Sequence, residues 1–232
     1  MSMGRAMYAC IKAMCCLLPL SIGFGRSESV APPAIDVLVY LKSEGTTSSA
    51  VVANMMRELG ELMQTAGFHI EWGDWKNPGV SPDNADLAVV VLRGVCSASS
   101  LQSSEQTKNT QVLASTAVAN DQVLPFSWID CTSLGQFLGP AMTHKSAERR
   151  NYVYGRAMAR LMGHELYHIL AHTAEHTQGG VAKERFTTED LLGEHFSYEH
   201  EALFRLHSAQ SADPVPEPLA APPYTSAPLD KN

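Results

Sequence analysis

Residues 146–172 run without proline and with only two glycines, Gly155 and Gly163, and they contain His164-Glu165-Leu166-Tyr167-His168. The apolar residues Met158, Leu161, Met162, Leu166, Ile169 and Leu170 recur at three- and four-residue intervals, the pattern of one buried helical face. Ser146 is a suitable N-cap, and Glu148 in the first turn complements the positive end of the helix dipole. Any fold for this chain has to be assembled around a long helix that buries one side and carries two histidines and a carboxylate one turn apart.

Residues i and i+4 lie about 40° apart around a helix and ~6 Å along it, so His164 and His168 can converge on a single ion. Two neutral imidazoles at ~2.0–2.1 Å occupy two corners of a Zn2+ tetrahedron. Glu165, beside the first ligand, is placed to accept a proton from water polarised by the metal and to return it to a leaving amine. A hydrolytic zinc site also needs a third protein ligand and an open fourth position. His172 would sit ~12 Å from His164 along an unbroken helix, too far for one ion. His176 reaches back if the helix ends near His172 or Thr173 and the chain turns, with Gly179-Gly180 letting it leave again. His176 is therefore the expected third metal ligand, and Glu189 or Glu194 is the alternative, giving two histidines and a distant glutamate.

Arg5 and Lys12 precede an apolar run at residues 13–22, and Ser21, Gly23 and Gly25 offer small residues for cleavage, so residues 1–25 read as a signal peptide. The run is far shorter than the ~20 residues a membrane span needs, and no later segment is long and apolar enough. A secreted or periplasmic chain is expected, with no stable membrane insertion after signal removal. Cys10, Cys15 and Cys16 fall in that leader, which leaves Cys96 and Cys131 to form one disulfide in an oxidising compartment. The net charge of -7 and the scattered basic residues exclude the positive stripe that nucleic acid or anionic lipid requires.

Beyond Pro32 and Pro33, residues 35–41 have the β-rich apolar character of a strand, and residues 46–66 have helical spacing ended by Gly67. Residues 68–72 and 87–92 read as two more strands, the latter unbroken in its apolar character and so buried on both faces. Residues 95–109 read as a loop, followed by strands at 112–119 and 123–129 with a turn at Asn120-Asp121. Thr187 or Thr188 can cap a short helix, and Phe196, Leu203, Phe204 and Leu206 mark an apolar segment at 196–207 beneath the site. The expected fold class is α/β (α+β). It has a mixed, mostly parallel five-stranded sheet with a backing helix and an active-site helix, then a small C-terminal helical subdomain. Residues 34–210 form a single catalytic domain in this reading, and 212–232 are a Pro/Ala-rich tail without core-forming residues.

A strand, a helix, further strands and then a helix bearing HExxH with a nearby histidine resembles the metzincin clan of zinc peptidases over roughly residues 35–180. The clan motif HExxHxxGxxH maps its histidines onto His164, His168 and, with two extra residues, His176. The chain departs from it at Ala171, where the clan has glycine, and at Ala174, where it has the third histidine; no methionine follows Met162 to make the clan's Met-turn. The segment is also similar to exported bacterial proteins with an HELYH motif. The resemblance implies that the fourth strand, at 112–118, is an antiparallel edge that pairs with an extended peptide or protein substrate. Tyr167 and Tyr198 are candidates for stabilising an oxyanion, against the alternative of packing; His195, His200 and His207 are expected to be solvated. The expected activity is that of an exported zinc metalloendopeptidase. The competing readings are a zinc-binding module without turnover and a zinc amidase acting on a small or cell-wall-like substrate.

Overall fold

The computed structural model describes residues 34–74, 76, 85–98 and 112–211. The expected signal peptide, most of the 95–109 loop and the 212–232 tail lie outside these residues.

The chain opens with strand β1 (Ile35–Glu44), helix α1 (Ser49–Thr65), β2 (Phe68–Gly73) and β3 (Asp86–Arg93). It continues through β4 (Ala114–Ala119), β5 (Gln122–Asp130), α2 (Cys131–Met142) and the long helix α3 (Ala147–Leu170). The 3-10 turn Gly180–Ala182, α4 (Thr188–Leu192) and α5 (His200–Gln210) follow. The five strands form one sheet in the order β2-β1-β3-β5-β4. β1 pairs in parallel with β2 and β3, β3 pairs in parallel with β5, and β4 runs antiparallel to β5 at the edge. This is the mixed, mostly parallel sheet expected from the sequence.

The apolar run of β3, expected to be buried on both faces, is buried on one and only partly on the other, where Leu87 is exposed and Val91 half-buried. Ala88, Val90 and Leu92 enter the main core with Val37 and Val39 of β1, while Val89 packs with Leu38 and Tyr40 in a smaller cluster. α1 buries Val51, Met55, Leu59, Leu62 and Met63, a stripe at helical spacing. The helix starts three residues later than the expected 46–66 because the backbone before it pairs elsewhere. Cys96 N–H donates to Thr46 O at 2.8 Å and Ser48 N–H donates to Cys96 O at 3.0 Å.

β4 and β5 form a hairpin whose turn residues, Asn120 (φ 51°) and Asp121 (φ 61°), both adopt the left-handed backbone of a type I′ turn. The register slips between Thr116, opposite Ser127, and Val118, opposite Val123. Three residues of β5, including Pro125, thus face Ala117 alone. Proline has no N–H to give a ladder, so the irregularity falls where it does least harm.

α2 was not foreseen. Asp130 caps it by accepting from Ser133 N–H at 2.8 Å, and it buries Cys131, Leu134, Leu138 and Met142. The expected disulfide is present: Cys96 is bonded to Cys131, joining the segment after β3 to the start of α2.

α3 begins at the expected cap, with Ser146 Oγ accepting from Arg149 N–H at 3.2 Å. Its glycines permit close packing. A Cβ at Gly155 would lie 2.5 Å from Val51 O and 3.0 Å from Met55 N, so α1 and α3 touch backbone to backbone there. Arg160, 1% exposed, joins Arg156 on Glu58 of α1, and Arg156 also donates to Glu194 O. The guanidinium of Arg160 donates to Asp190 O and lies 4.7 Å over the Phe196 ring. These contacts fix α3 against both α1 and the segment that follows it.

That segment is built on α4, whose Thr187 and Asp190 form a reciprocal capping box, and on α5. α5 takes up the apolar segment from His200 onward, and Phe196 before it packs on Phe186 and Arg160 at the border of the core.

Candidate metal centre

The last two turns of α3 are buried almost completely, with His164 6%, Glu165 3% and His168 7% exposed. α3 ends at Leu170, and His172 takes the left-handed backbone (φ 48°) that reverses the chain. The reversal returns His176 to the helix. Its ring stacks on His164 with centroids 5.2 Å apart and meets His168 edge-on at 4.8 Å. The ligating nitrogens of all three histidines lie within 4.8 Å of one another, and His176 is the solvent-exposed member.

Hydrogen bonding fixes the tautomers of the helix-borne pair. His164 Nδ1 donates to Val181 O and His168 Nδ1 donates to Thr173 O, both at 2.8 Å. A carbonyl can only accept, so each Nδ1 carries its ring's proton and each Nε2 presents a lone pair. Those two Nε2 atoms face each other at 3.1 Å. Two lone pairs at that distance repel, and a cation between them reverses the sign. A tetrahedral ion with ~2.0–2.1 Å bonds to nitrogen spaces its ligands ~3.3–3.4 Å apart, close to the separation found here. The donor set therefore fits a divalent metal ion.

Electrostatics agree with that assignment. Burial pushes the His164 imidazolium down to about 3, with His168 and His176 adding to the shift against the Val181 hydrogen bond. Burial also lowers His168, and His176 contributes in the same direction. Both rings are thus held neutral, as metal ligation demands. Burial lifts Glu165 to about 7, opposed by a hydrogen bond from Thr116.

Thr116 was not anticipated. It stands on edge strand β4, and its Oγ1 donates to Glu165 Oε2 at 2.6 Å and lies 3.3 Å from Glu165 O. β4 thereby forms one wall of a cleft of about 260 Å³ that exposes His164, Glu165, His168 and His176, with Glu184 also lining it.

Other expectations resolve differently. Glu189 and Glu194 are exposed, and neither belongs to the three-histidine group that could hold a metal ion. Tyr198 is buried away from the cleft, its hydroxyl donating to Gly163 O at 2.7 Å beside Met63 Sδ, and it packs the back of α3. Tyr167 is fully buried with its ring 5.4 Å from that of His168, and it does not line the cleft. His207 is tethered as well as exposed, since Nε2 donates to Ala66 O at 3.0 Å.

Asp36, His69 and Glu71 form a second group with ligand atoms in reach of one another, on the edge strand β2 and its neighbour β1. His69 and Asp36 are already paired at 3.1 Å and are more than half exposed, so an ordinary surface ion pair accounts for them.

No family model matches the chain, and no curated protein or solved structure matches it significantly.

Proposed function

We propose that this chain is an exported zinc metalloendopeptidase of metzincin-like design. The observation that carries the reading is the convergence of the three histidine nitrogens beside a buried carboxylate in a cleft walled by an edge strand. His164, His168 and His176 would hold the ion. When bound, zinc supplies Lewis acidity toward a carbonyl oxygen and toward water. Glu165 would accept a proton from water at Oε1 or Oε2 and deliver it to the departing amine nitrogen. Its burial raises its basicity toward the neutral range in which such a transfer is efficient. β4, the edge strand of the sheet among the described residues, offers backbone groups to an extended peptide, a mode that binds with little sequence preference.

Export is supported by the Cys96–Cys131 bond, since disulfides persist in oxidising compartments. No helix among the described residues is long and apolar enough to cross a membrane.

The reading is tested by metal analysis and peptide hydrolysis with the parent chain and Glu165→Ala. About one zinc per chain is expected in both proteins, with chelator-sensitive hydrolysis of casein or a peptide library in the parent alone. Full zinc occupancy without hydrolysis of any peptide would leave a binding module or a small-amide hydrolase instead.

A further inference from the structure

We propose that Thr116 is a positioning residue that fixes the orientation of the Glu165 carboxylate. The proposal rests on the peptidase reading above. Glu165 follows a metal ligand on α3, so its backbone is fixed by the helix, but its side chain retains three torsions. A base must sit within hydrogen-bond reach of the proton it removes, and a freely rotating carboxylate spends part of its time elsewhere. Among the described residues, the hydroxyl of Thr116 is the donor that restrains it, at 2.6 Å to Oε2. Occupation of Oε2 leaves Oε1 for water.

The local fold explains how a strand residue comes to hold a helix carboxylate. Thr116 is the last residue of β4 in regular register with β5 before the slip opposite Pro125. The irregularity begins directly after Thr116, and features of this kind at strand edges can re-aim side chains. Thr116 Oγ1 is also 3.3 Å from Glu165 O, so the hydroxyl sits against both backbone and side chain of the same residue. The wall expected to receive substrate thus also carries the group that orients the base.

The test uses the full chain, loaded with zinc, as the parent, Thr116→Val and Thr116→Ser. Valine keeps the shape of threonine and removes the donor; serine keeps the donor. Zinc affinity, measured by competition with a chromogenic chelator, is expected to agree within about twofold for all three. For Thr116→Val, kcat on a peptide substrate should fall about 10- to 100-fold with KM nearly unchanged, and serine should restore most of the loss. Crystal structures of the zinc-loaded parent and Thr116→Val supply a readout independent of turnover: the Glu165 carboxylate should leave its orientation in the variant. An undiminished kcat in Thr116→Val, an equal loss in Thr116→Ser, a rise in KM alone, or an unmoved carboxylate overturns the proposal. If the zinc-loaded parent hydrolyses no peptide, the peptidase reading fails, and the crystallographic comparison alone decides whether Thr116 orients Glu165.

Discussion

Two glycines in helix interiors make opposite predictions from the same substitution, because one is packed against backbone and the other is not. Alanine is ~0.8–1.0 kcal/mol better than glycine in a helix, so propensity alone favours both Gly60→Ala and Gly155→Ala. At Gly60 in α1 nothing lies within 4 Å of the added methyl, and the gain should be realised nearly in full. At Gly155 the methyl would meet Val51 O at 2.5 Å, Asn54 Cβ at 2.8 Å and Met55 N at 3.0 Å. Backbone atoms have no alternative rotamer, so α1 and α3 must separate, and overpacking of this kind costs typically ~1–3 kcal/mol. The net expectation is a gain of about 0.5–1 kcal/mol for Gly60→Ala and a loss of about 0–2 kcal/mol for Gly155→Ala. At roughly 2–4 °C per kcal/mol for a domain of this size, Tm should rise a few degrees in the first and fall by up to about 8 °C in the second. Thermal unfolding in the presence of chelator is the assay, since bound metal would mask small differences. A Gly155→Ala protein stabilised as much as Gly60→Ala would refute the close helix approach on which the placement of His164 and His168 depends.

Removing the disulfide with paired alanines at Cys96 and Cys131, 35 residues apart, should cost about 4 kcal/mol by the loop-entropy relation, read as a lower urea midpoint. His176→Ala should weaken zinc binding in a chelator competition, whereas Glu189→Ala and Glu194→Ala should leave it unchanged; a loss with either glutamate would reinstate it as a ligand. Acidity should also affect the metal-free fold. His164, lowered from 6.5 to about 3, and His168, lowered too, refuse protons that the unfolded chain accepts below pH 6.5, so stability falls as pH drops. Glu165, raised from 4.5 to about 7, acts oppositely, retaining a proton above pH 4.5 that the unfolded chain releases. The two histidines together oppose the one carboxylate, so a net loss of stability is expected as pH falls from 6.5 to 4.5. Urea unfolding across that range should steepen in Glu165→Gln, and an unaltered slope would contradict the burial of that carboxylate.

Much of the architecture was legible because it rests on local pattern. The unbroken apolar run of β3, the Asn120-Asp121 turn and the Ser146 cap each act through neighbours in sequence, and each appears where expected. The turn that returns His176 to α3 was legible for the same reason: a helix cannot bring a third ligand to the first two, so it has to stop, and His172 tolerates the backbone that stops it. α2 escaped notice because Gly135, Gly139 and Pro140 depress helix propensity, although Cys131, Leu134, Leu138 and Met142 keep the period that burial then rewards. Thr116 could not be foreseen at all. Its partner lies 49 residues away on a different element, and nothing in the sequence around Thr116 marks it. The Glu58 cluster with Arg156 and Arg160 is hidden likewise, since nothing local marks a salt bridge across some hundred residues.

The site also explains why so much of the fold is spent on immobilising one helix. His164 and His168 are buried with lone pairs opposed at 3.1 Å, and Glu165 is buried beside them, so desolvation and mutual repulsion all disfavour this arrangement. Arrangements of this kind persist when the surrounding structure over-determines them. Here α3 is held by backbone contact with α1, by the Glu58 ion pairs and by the segment after α3, which binds both imidazoles through Thr173 O and Val181 O. The same stretch of chain carries His176, the exposed member of the three histidines that could hold an ion. Two ligands fixed before metal arrives and a third on the solvent side would let an ion enter from the cleft and be enclosed with little rearrangement of the core, which is how a preorganised site lowers the cost of binding.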